Sequence, residues 1–271
     1  MSVLQDILAQ KARELPALER SRPTDLTLLP TPRNVLQVLR RSAEDPLRLV
    51  CEHKRKSPSA GPLSTQLSVE ERCVSYAAAG ASMISVLCDS VFFDGAYDHL
   101  RRARAALDAA GFATPLLAKE FIIDAVQLAH ARAHGADAAL LIARILPAPR
   151  LGQLVDAALA LGLTPIVEVV SPKELELTLR TQAQVIGVNA RDLDTLQMDA
   201  ERAQQVLAAI PSDLVACHFS GIAGAADVRR VAAGRADAAL VGEALMRQDD
   251  PTAMLSEMLG GTTLTRPARR S

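Results

Sequence analysis

The run Leu47-Arg48-Leu49-Val50-Cys51, followed by Glu52-His53-Lys54-Arg55-Lys56-Ser57-Pro58-Ser59-Ala60-Gly61, decides how this chain is read. Its first five residues form a short, mostly apolar segment that reads as a buried strand. Glu52 and Lys54 then stand two residues apart. Side chains alternate across a strand, so both point to one face. Ser-Pro-Ser and a glycine come next, residue types that build an ordered loop. A surface ion pair after a strand has the same spacing, so the pattern by itself leaves both readings open. A strand that ends in an acid and a base and then turns is where a parallel α/β protein places its chemistry.

Outward from this point the pattern repeats. Strand-like apolar runs occur at Leu47–Cys51, Met83–Cys88, Pro115–Leu117, Ala138–Ile142, Thr164–Val169, Val185–Val188, Leu214–Cys217 and Ala238–Val241. Helical periodicity lies between them, as in Tyr97–Ala110, Ala125–His134, Leu151–Leu161, Pro172–Arg180, Ala200–Ile210 and Ala223–Ala233. Gly80, Gly111, Gly135, Gly162 and Gly234 fall near the helix C-termini, where glycine is favoured. Continuous apolar strands alternating with helices imply a parallel sheet covered on its faces. Eight units in 271 residues favour a closed (β/α)8 TIM barrel, read as a single domain over 1–271. Ala136-Asp137-Ala138-Ala139-Leu140 recurs as Ala236-Asp237-Ala238-Ala239-Leu240, half a barrel later.

Before the first strand, residues 2–17 carry Leu4, Ile7, Leu8 and Leu15 among charges, an amphipathic helix. Ser21–Pro32 reads as a loop and Val35–Leu39 as a second short helix. Residues 1–45 are therefore a helical extension that caps the barrel bottom or covers its mouth. The end of the chain, 262–271, reads as a flexible tail.

Composition narrows the class. Hydrophobic residues make up 49% and the formal net charge is -1, so nothing points to nucleic acid or an anionic membrane as a partner. Cys51, Cys73, Cys88 and Cys217 show no metal-ligand spacing, and three of them lie in apolar runs, as buried thiols of a reducing compartment do. No apolar run reaches membrane-spanning length, and the charged N-terminus is not a signal peptide. The expected setting is cytoplasmic, with no metal and no cofactor.

Polar groups gather where the strands end. Strand one ends at Glu52 and Lys54, strand two at Asp89, and strand three at Lys119-Glu120-Phe121. Strand five ends at Glu168, strand six at Asn189-Ala190-Arg191-Asp192, strand seven at Ser220-Gly221-Ile222 and strand eight at Gly242-Glu243. In a barrel these ends share one mouth, where active sites form. The glycines after strands seven and eight fit a phosphate site, since a backbone without Cβ can approach an anion closely. Phe93 and Phe121 fit an aromatic pocket as well as they fit a core. His53, between Glu52 and Lys54, is expected to point away from them; His99, His130 and His134 are expected on helix surfaces.

Taken together, the motifs resemble the indole-3-glycerol-phosphate synthase family. They are Glu52-x-Lys54-x-x-Ser57-Pro58-Ser59-x-Gly61, Ser85-x-Leu87-x-Asp89 with Phe93, Leu117-x-Lys119-x-Phe121, Gly135-Ala136-Asp137, Val167-Glu168-Val169, Gly187-x-Asn189-x-Arg191-Asp192-Leu193, Ser220-Gly221-Ile222 and Val241-Gly242-Glu243. The resemblance implies ring closure of a carboxyphenylamino deoxyribulose phosphate with loss of carbon dioxide and water, in tryptophan biosynthesis. It implies Lys119 as general acid and Glu168 as base, with Glu52 and Asn189 orienting, and Lys54 and Arg191 on the substrate's anions. Ser220, Gly221 and Gly242 would hold the phosphate, and Ser57, Phe93, Phe121 and Glu243 complete the residues expected at the substrate. The implied partner is a small phosphorylated aromatic substrate, with association among tryptophan-pathway enzymes. The chain departs from the family pattern at Glu120, where aspartate is usual, at Ala190, and at Phe219, where glutamate is usual. Phe219 and Glu120 keep two alternatives in view: a divergent paralogue of a specialised pathway, or a catalytically weak phosphate-binding barrel. An isomerase-like barrel with a Cys and Asp pair is disfavoured by Glu52 and Lys54.

Overall fold

A computed structural model of the chain describes residues 3–26, 29–42, 45–58, 61–192 and 194–260. The expected tail, and Ser59 and Leu193 of the motifs, lie outside the described residues. Eight parallel strands close into a barrel: β1 (Arg48–His53), β2 (Met83–Leu87), β3 (Leu116–Lys119), β4 (Ala138–Ile142), β5 (Thr164–Val169), β6 (Val185–Asn189), β7 (Val215–Phe219) and β8 (Ala238–Val241). Each pairs with its neighbours in sequence, and β1 pairs with β8 to close the ring. This is the (β/α)8 TIM barrel expected from the alternating pattern.

Several strands run further than their apolar residues. β1 continues through Glu52 and His53, paired with Ser85 and Val86. β3 reaches Lys119, paired with Leu87, and β6 and β7 end on the pair Asn189 and Phe219. A reading by hydropathy stops at the first charge, whereas the ladder needs only backbone groups. Glu52, Lys119 and Glu168 are therefore held on strands, while Lys54 and Arg191 follow just after them.

The N-terminal segment contributes two helices that lie at opposite ends of the barrel. Helix α1 (Val3–Arg20) lies beside the mouth, while α2 (Val35–Leu39) closes the other end. Val35 and Leu39 of α2 are buried against Met83, Val185, Val215 and Ala238, the residues that begin four strands. Asn34 caps this short helix through the Gln37 amide. The barrel interior above it holds Val50, Leu117, Leu140, Ile166 and Leu240. A second apolar layer lies between strands and outer helices, with Tyr76, Leu100, Leu128, Leu154 and Val228.

The internal echo is structural. Asp137 precedes β4; its carboxylate accepts the Leu116 amide at 2.7 Å, and its own amide donates to the Leu116 carbonyl at 2.9 Å. Asp237 does the same before β8, accepting from Ala216 at 2.9 Å and donating to it at 2.7 Å. Each aspartate sets the start of the preceding strand. Replacing either with alanine leaves a buried amide unpartnered, a loss on the order of 1–3 kcal/mol. The two sites lie half a barrel apart, so their costs should nearly add. Urea unfolding of Asp137→Ala, Asp237→Ala and the double variant checks this; a double variant no less stable than either single one would contradict it.

Candidate active site

A cavity of about 530 Å³ opens at the C-terminal ends of the strands. Glu52, Lys54, Ser57, Phe93, Lys119, Phe121, Glu168, Asn189, Arg191, Ser220, Gly221, Gly242 and Glu243 all line it. The structure thus brings together every site residue read from the sequence.

β1 holds Glu52 almost wholly buried, with the Lys54 ammonium 2.8 Å from its Oε1. Burial pushes this carboxyl up, but Lys54, Lys119 and the Ser85 hydroxyl outweigh it and hold Glu52 below the usual range. Gly242 is what makes room. A Cβ built there would stand 2.5 Å from Glu52 Oε1, so the end of β8 must be glycine for the carboxylate to fit. That steric reason is independent of any phosphate contact. His53, on the opposite face, meets the His99 ring edge-on at 5.9 Å, and burial drives it down to about 3.

Across the cavity, β5 presents Glu168, 1% exposed. The Asn189 amide on β6 donates to its Oε1 at 2.9 Å. Its Oε2 accepts no hydrogen bond and faces the Lys119 ammonium at 3.7 Å. An acid and a base are thereby aligned side by side, with one buried carboxylate oxygen that accepts no hydrogen bond among the described residues. The Asn189 carbonyl oxygen accepts the Arg191 amide at 3.0 Å, and the Arg191 guanidinium donates to the Leu196 carbonyl at 3.2 Å.

After β7, Ser220 (φ 69°) and Gly221 (φ 78°) both take left-handed backbone. Glycine does so freely, whereas Ser220 stores strain on the order of 1 kcal/mol. Phe219 faces the barrel interior, 3% exposed, and its ring fills the space beside Gly187: a Cβ there would stand 2.4 Å from the ring. Phe93 and Phe121 form a tilted pair, centroids 5.9 Å apart, on the cavity wall. Glu243 also pairs with Arg247 at 2.7 Å on the rim. Among the described residues no group of three His, Cys, Asp or Glu side chains could hold a metal ion. Nor is any described helix long and apolar enough to cross a membrane.

The sequence reading missed the share of α1. Leu4 and Ile7 line the cavity, and Lys11 on the same helical face is 1% exposed. Its ammonium meets Asp89 at 2.8 Å, Glu120 at 3.1 Å and Glu14 at 2.9 Å. A lysine inside the apolar stripe Leu4, Ile7, Lys11 was the signal available. Asp89 in turn caps the short helix α3 (Ser90–Phe93) through the Phe92 amide, and so places Phe93. The helix that carries His130 lies under α1, and His99 packs on His53, which corrects the expected surface placement of these two histidines. His130 is buried and contacts the Leu18 carbonyl of α1 at 2.9 Å, and His99 is buried against His53. A single-helix periodicity does not register a second covering layer.

One ammonium serves three carboxylates here. Burial pushes Glu120 up to about 7, with Lys11 and the Phe121 amide pulling against it. An unfolded glutamate titrates near 4.3, so between roughly pH 4.3 and 7 the folded chain holds a proton that the unfolded chain has lost. The stability tied to this group is full below the unfolded value and is lost as pH rises through about 7. Glu120→Gln should therefore flatten the fall in unfolding free energy between about pH 4.3 and 7. Urea titrations at several pH values measure that slope, and an unchanged slope would remove Glu120 as its source.

Comparison with known proteins agrees with this geometry. The profile of the family "Indole-3-glycerol phosphate synthase" matches residues 4–258. A curated relative from Rhodopirellula baltica with that name is 39% identical over 264 residues, covering 96% of this chain and 99% of its own length. A "Multifunctional tryptophan biosynthesis protein" of Phanerodontia chrysosporium is 37% identical over 95% of this chain, which spans 34% of that protein. Among solved structures, 3-hexulose-6-phosphate synthase from Salmonella typhimurium superposes with a TM-score of 0.62 at 15% identity, over 79% of this chain and 98% of its own, a likeness of fold alone. On the family match and the full-length relative, this chain belongs to the indole-3-glycerol phosphate synthase family.

Proposed function

We propose that the cavity carries out the indole-forming reaction of this family through Lys119 and Glu168. The activity is that of a carboxy-lyase of tryptophan biosynthesis, acting on 1-(2-carboxyphenylamino)-1-deoxyribulose 5-phosphate. The observation that carries the reading is the pair itself: an ammonium 3.7 Å from a buried carboxylate oxygen that accepts no hydrogen bond, inside a cavity of this size.

The steps follow from the groups. An aryl carbon attacks the ketone, and the developing alkoxide takes a proton from Lys119. Loss of carbon dioxide restores the aromatic ring. Lys119, reprotonated from solvent after the first step, then supplies a proton to the new hydroxyl as it leaves as water, and Glu168 takes a proton from the adjacent ring carbon, the former C1 of the sugar. Asn189 fixes the Glu168 carboxylate through Oε1, which leaves Oε2 for chemistry. Glu52 holds Lys54 beside the substrate, and Lys54 and Arg191 take its anions. Ser57, Ser220, Gly221 and Gly242 border the phosphate, and Phe93 with Phe121 border the aryl ring. The chain works as one domain, with residues 1–45 as its extension, in the cytoplasm, a setting supported by four buried free thiols. Association with other enzymes of the pathway is supported by the multifunctional relative.

A second reading, a barrel that binds the compound but turns it over weakly, is favoured by Phe219 alone. The chain has no tryptophan, so indole fluorescence reports product directly. Turnover of the carboxyphenylamino substrate supports the first reading; tight binding without turnover supports the second. Lys119→Ala and Glu168→Gln should each lower kcat by roughly 10²–10⁴-fold with little effect on thermal stability. A variant with near-wild-type kcat would remove that residue from the mechanism.

A further inference from the structure

The rim beyond β4 holds an arginine that the reaction does not use. Arg144 follows β4 in a short 3₁₀ turn, Ala143–Ile145. Its Nε donates to Glu174 Oε1 at 2.9 Å, and its Nη1 to Asp192 at 2.8 Å and to Asp194 at 3.1 Å. The partners come from the first turn of the helix Pro172–Thr178 and from the loop after β6. Glu174 accepts the Val170 amide at 2.6 Å through its other oxygen, which ties the guanidinium to the turn that follows Glu168. Asp192 organises the loop after β6: its Oδ1 accepts the Asp194 and Thr195 amides at 2.9 and 3.0 Å.

That loop carries Arg191. Arg191 bridges back to Met198, and its guanidinium rests on the Leu196 carbonyl. Leu196 lines the cavity with a left-handed backbone, φ 60°, a conformation costly for a branched residue and held only by what surrounds it. Arg144 itself lies outside the cavity lining. A fork of fixed geometry suits this bridging of several carboxylates, which the point charge of a lysine cannot reproduce.

We propose that Arg144 is a positioning residue: through Asp192 and Asp194 it clamps the segment after β6 so that Arg191 is pre-set for the substrate's anion. This rests on the anion-binding role given to Arg191 above. Ordering the loop before binding removes an entropic cost from the binding step, so the effect falls on KM more than on kcat.

The experiment compares Arg144→Ala, Arg144→Lys, Asp194→Asn and Arg191→Ala by steady-state kinetics. Amide hydrogen exchange over 192–198 is followed in each, and thermal melting serves as a control. Arg144→Ala should raise KM about tenfold with kcat within about threefold, and should speed exchange in the loop. Arg144→Lys should fall between it and wild type, and Asp194→Asn should show a smaller shift of the same kind, which keeps the test valid if Arg144→Ala folds poorly. If Arg191→Ala raises KM while Arg144→Ala and Asp194→Asn do not, the clamp is overturned and the role of Arg191 stands. If Arg191→Ala leaves KM unchanged, the anion role of Arg191 fails; loop exchange then decides the clamp, and wild-type protection in Arg144→Ala overturns it. A lowered melting temperature with unchanged KM and exchange would make Arg144 a structural residue only.

Discussion

Two carboxylates buried in one cavity, Glu52 and Glu168, set the terms for everything around them. Taking an isolated carboxylate out of water costs several kcal/mol, and such a group neutralises unless a cation compensates it. Here compensation comes from Lys54, two residues along the chain from Glu52, and from Lys119, brought to Glu168 by closure of the barrel. Glu52 keeps its charge in spite of burial because both lysines act on it. Removing Lys54 would do more than delete a binding group; it would leave buried Glu52 without the cation that stands 2.8 Å from it. The site is therefore a balanced set, and barrel closure is what assembles it. β1 pairs with β8, so Gly242 lies against Glu52; β5 pairs with β6, so Asn189 reaches Glu168.

The N-terminal helices complete the barrel at both ends by different means. α2 closes the bottom with apolar residues, Val35 and Leu39, which need no direction. α1 is fixed at the top by the Lys11 cluster, which does have direction: a buried ammonium is satisfied only where Asp89, Glu120 and Glu14 converge. Asp89 caps the helix bearing Phe93, and Glu120 follows Lys119 in the chain, so the helix and two strand ends are linked through one charge. The longer Glu120 side chain is directed to this link, and its cost is the raised carboxyl that pH should reveal.

The fold was legible because burial on both faces gives parallel strands an unbroken apolar signature, and the cluster of polar residues after those strands marked the mouth. What periodicity could not supply was distance across the ring. Glu52 and Lys54 were readable as neighbours from alternation; Lys119 facing Glu168, 49 residues on in sequence, depends on barrel closure. Strand ends were read short where polar residues closed the apolar run, as at Glu52–His53 and Asn189. The roles of Lys11 and Arg144 were hidden for a related reason. Each looks like an ordinary surface cation until the carboxylates of distant segments are seen around it, and their partners lie at separations that no local pattern encodes.

Phe219 can be understood from the same charge balance. Four cations, Lys54, Lys119, Arg191 and Arg247, line the cavity against Glu52, Glu168 and Glu243, while the remaining lining acid, Glu120, is taken up by Lys11. The lining is thus left with a surplus of positive charge for a substrate that carries both a carboxylate and a phosphate. A carboxylate in place of Phe219 would cancel that surplus in a buried position with Glu52 already holding Lys54 at 2.8 Å. The ring instead fits the room left by Gly187 and makes the floor apolar. Burying this ring contributes a few kcal/mol of packing, where another buried charge would have demanded its own partner. The substitution therefore trades a polar contact at the floor for a drier, more cationic cavity, and leaves the Lys119–Glu168 pair as the place where protons move.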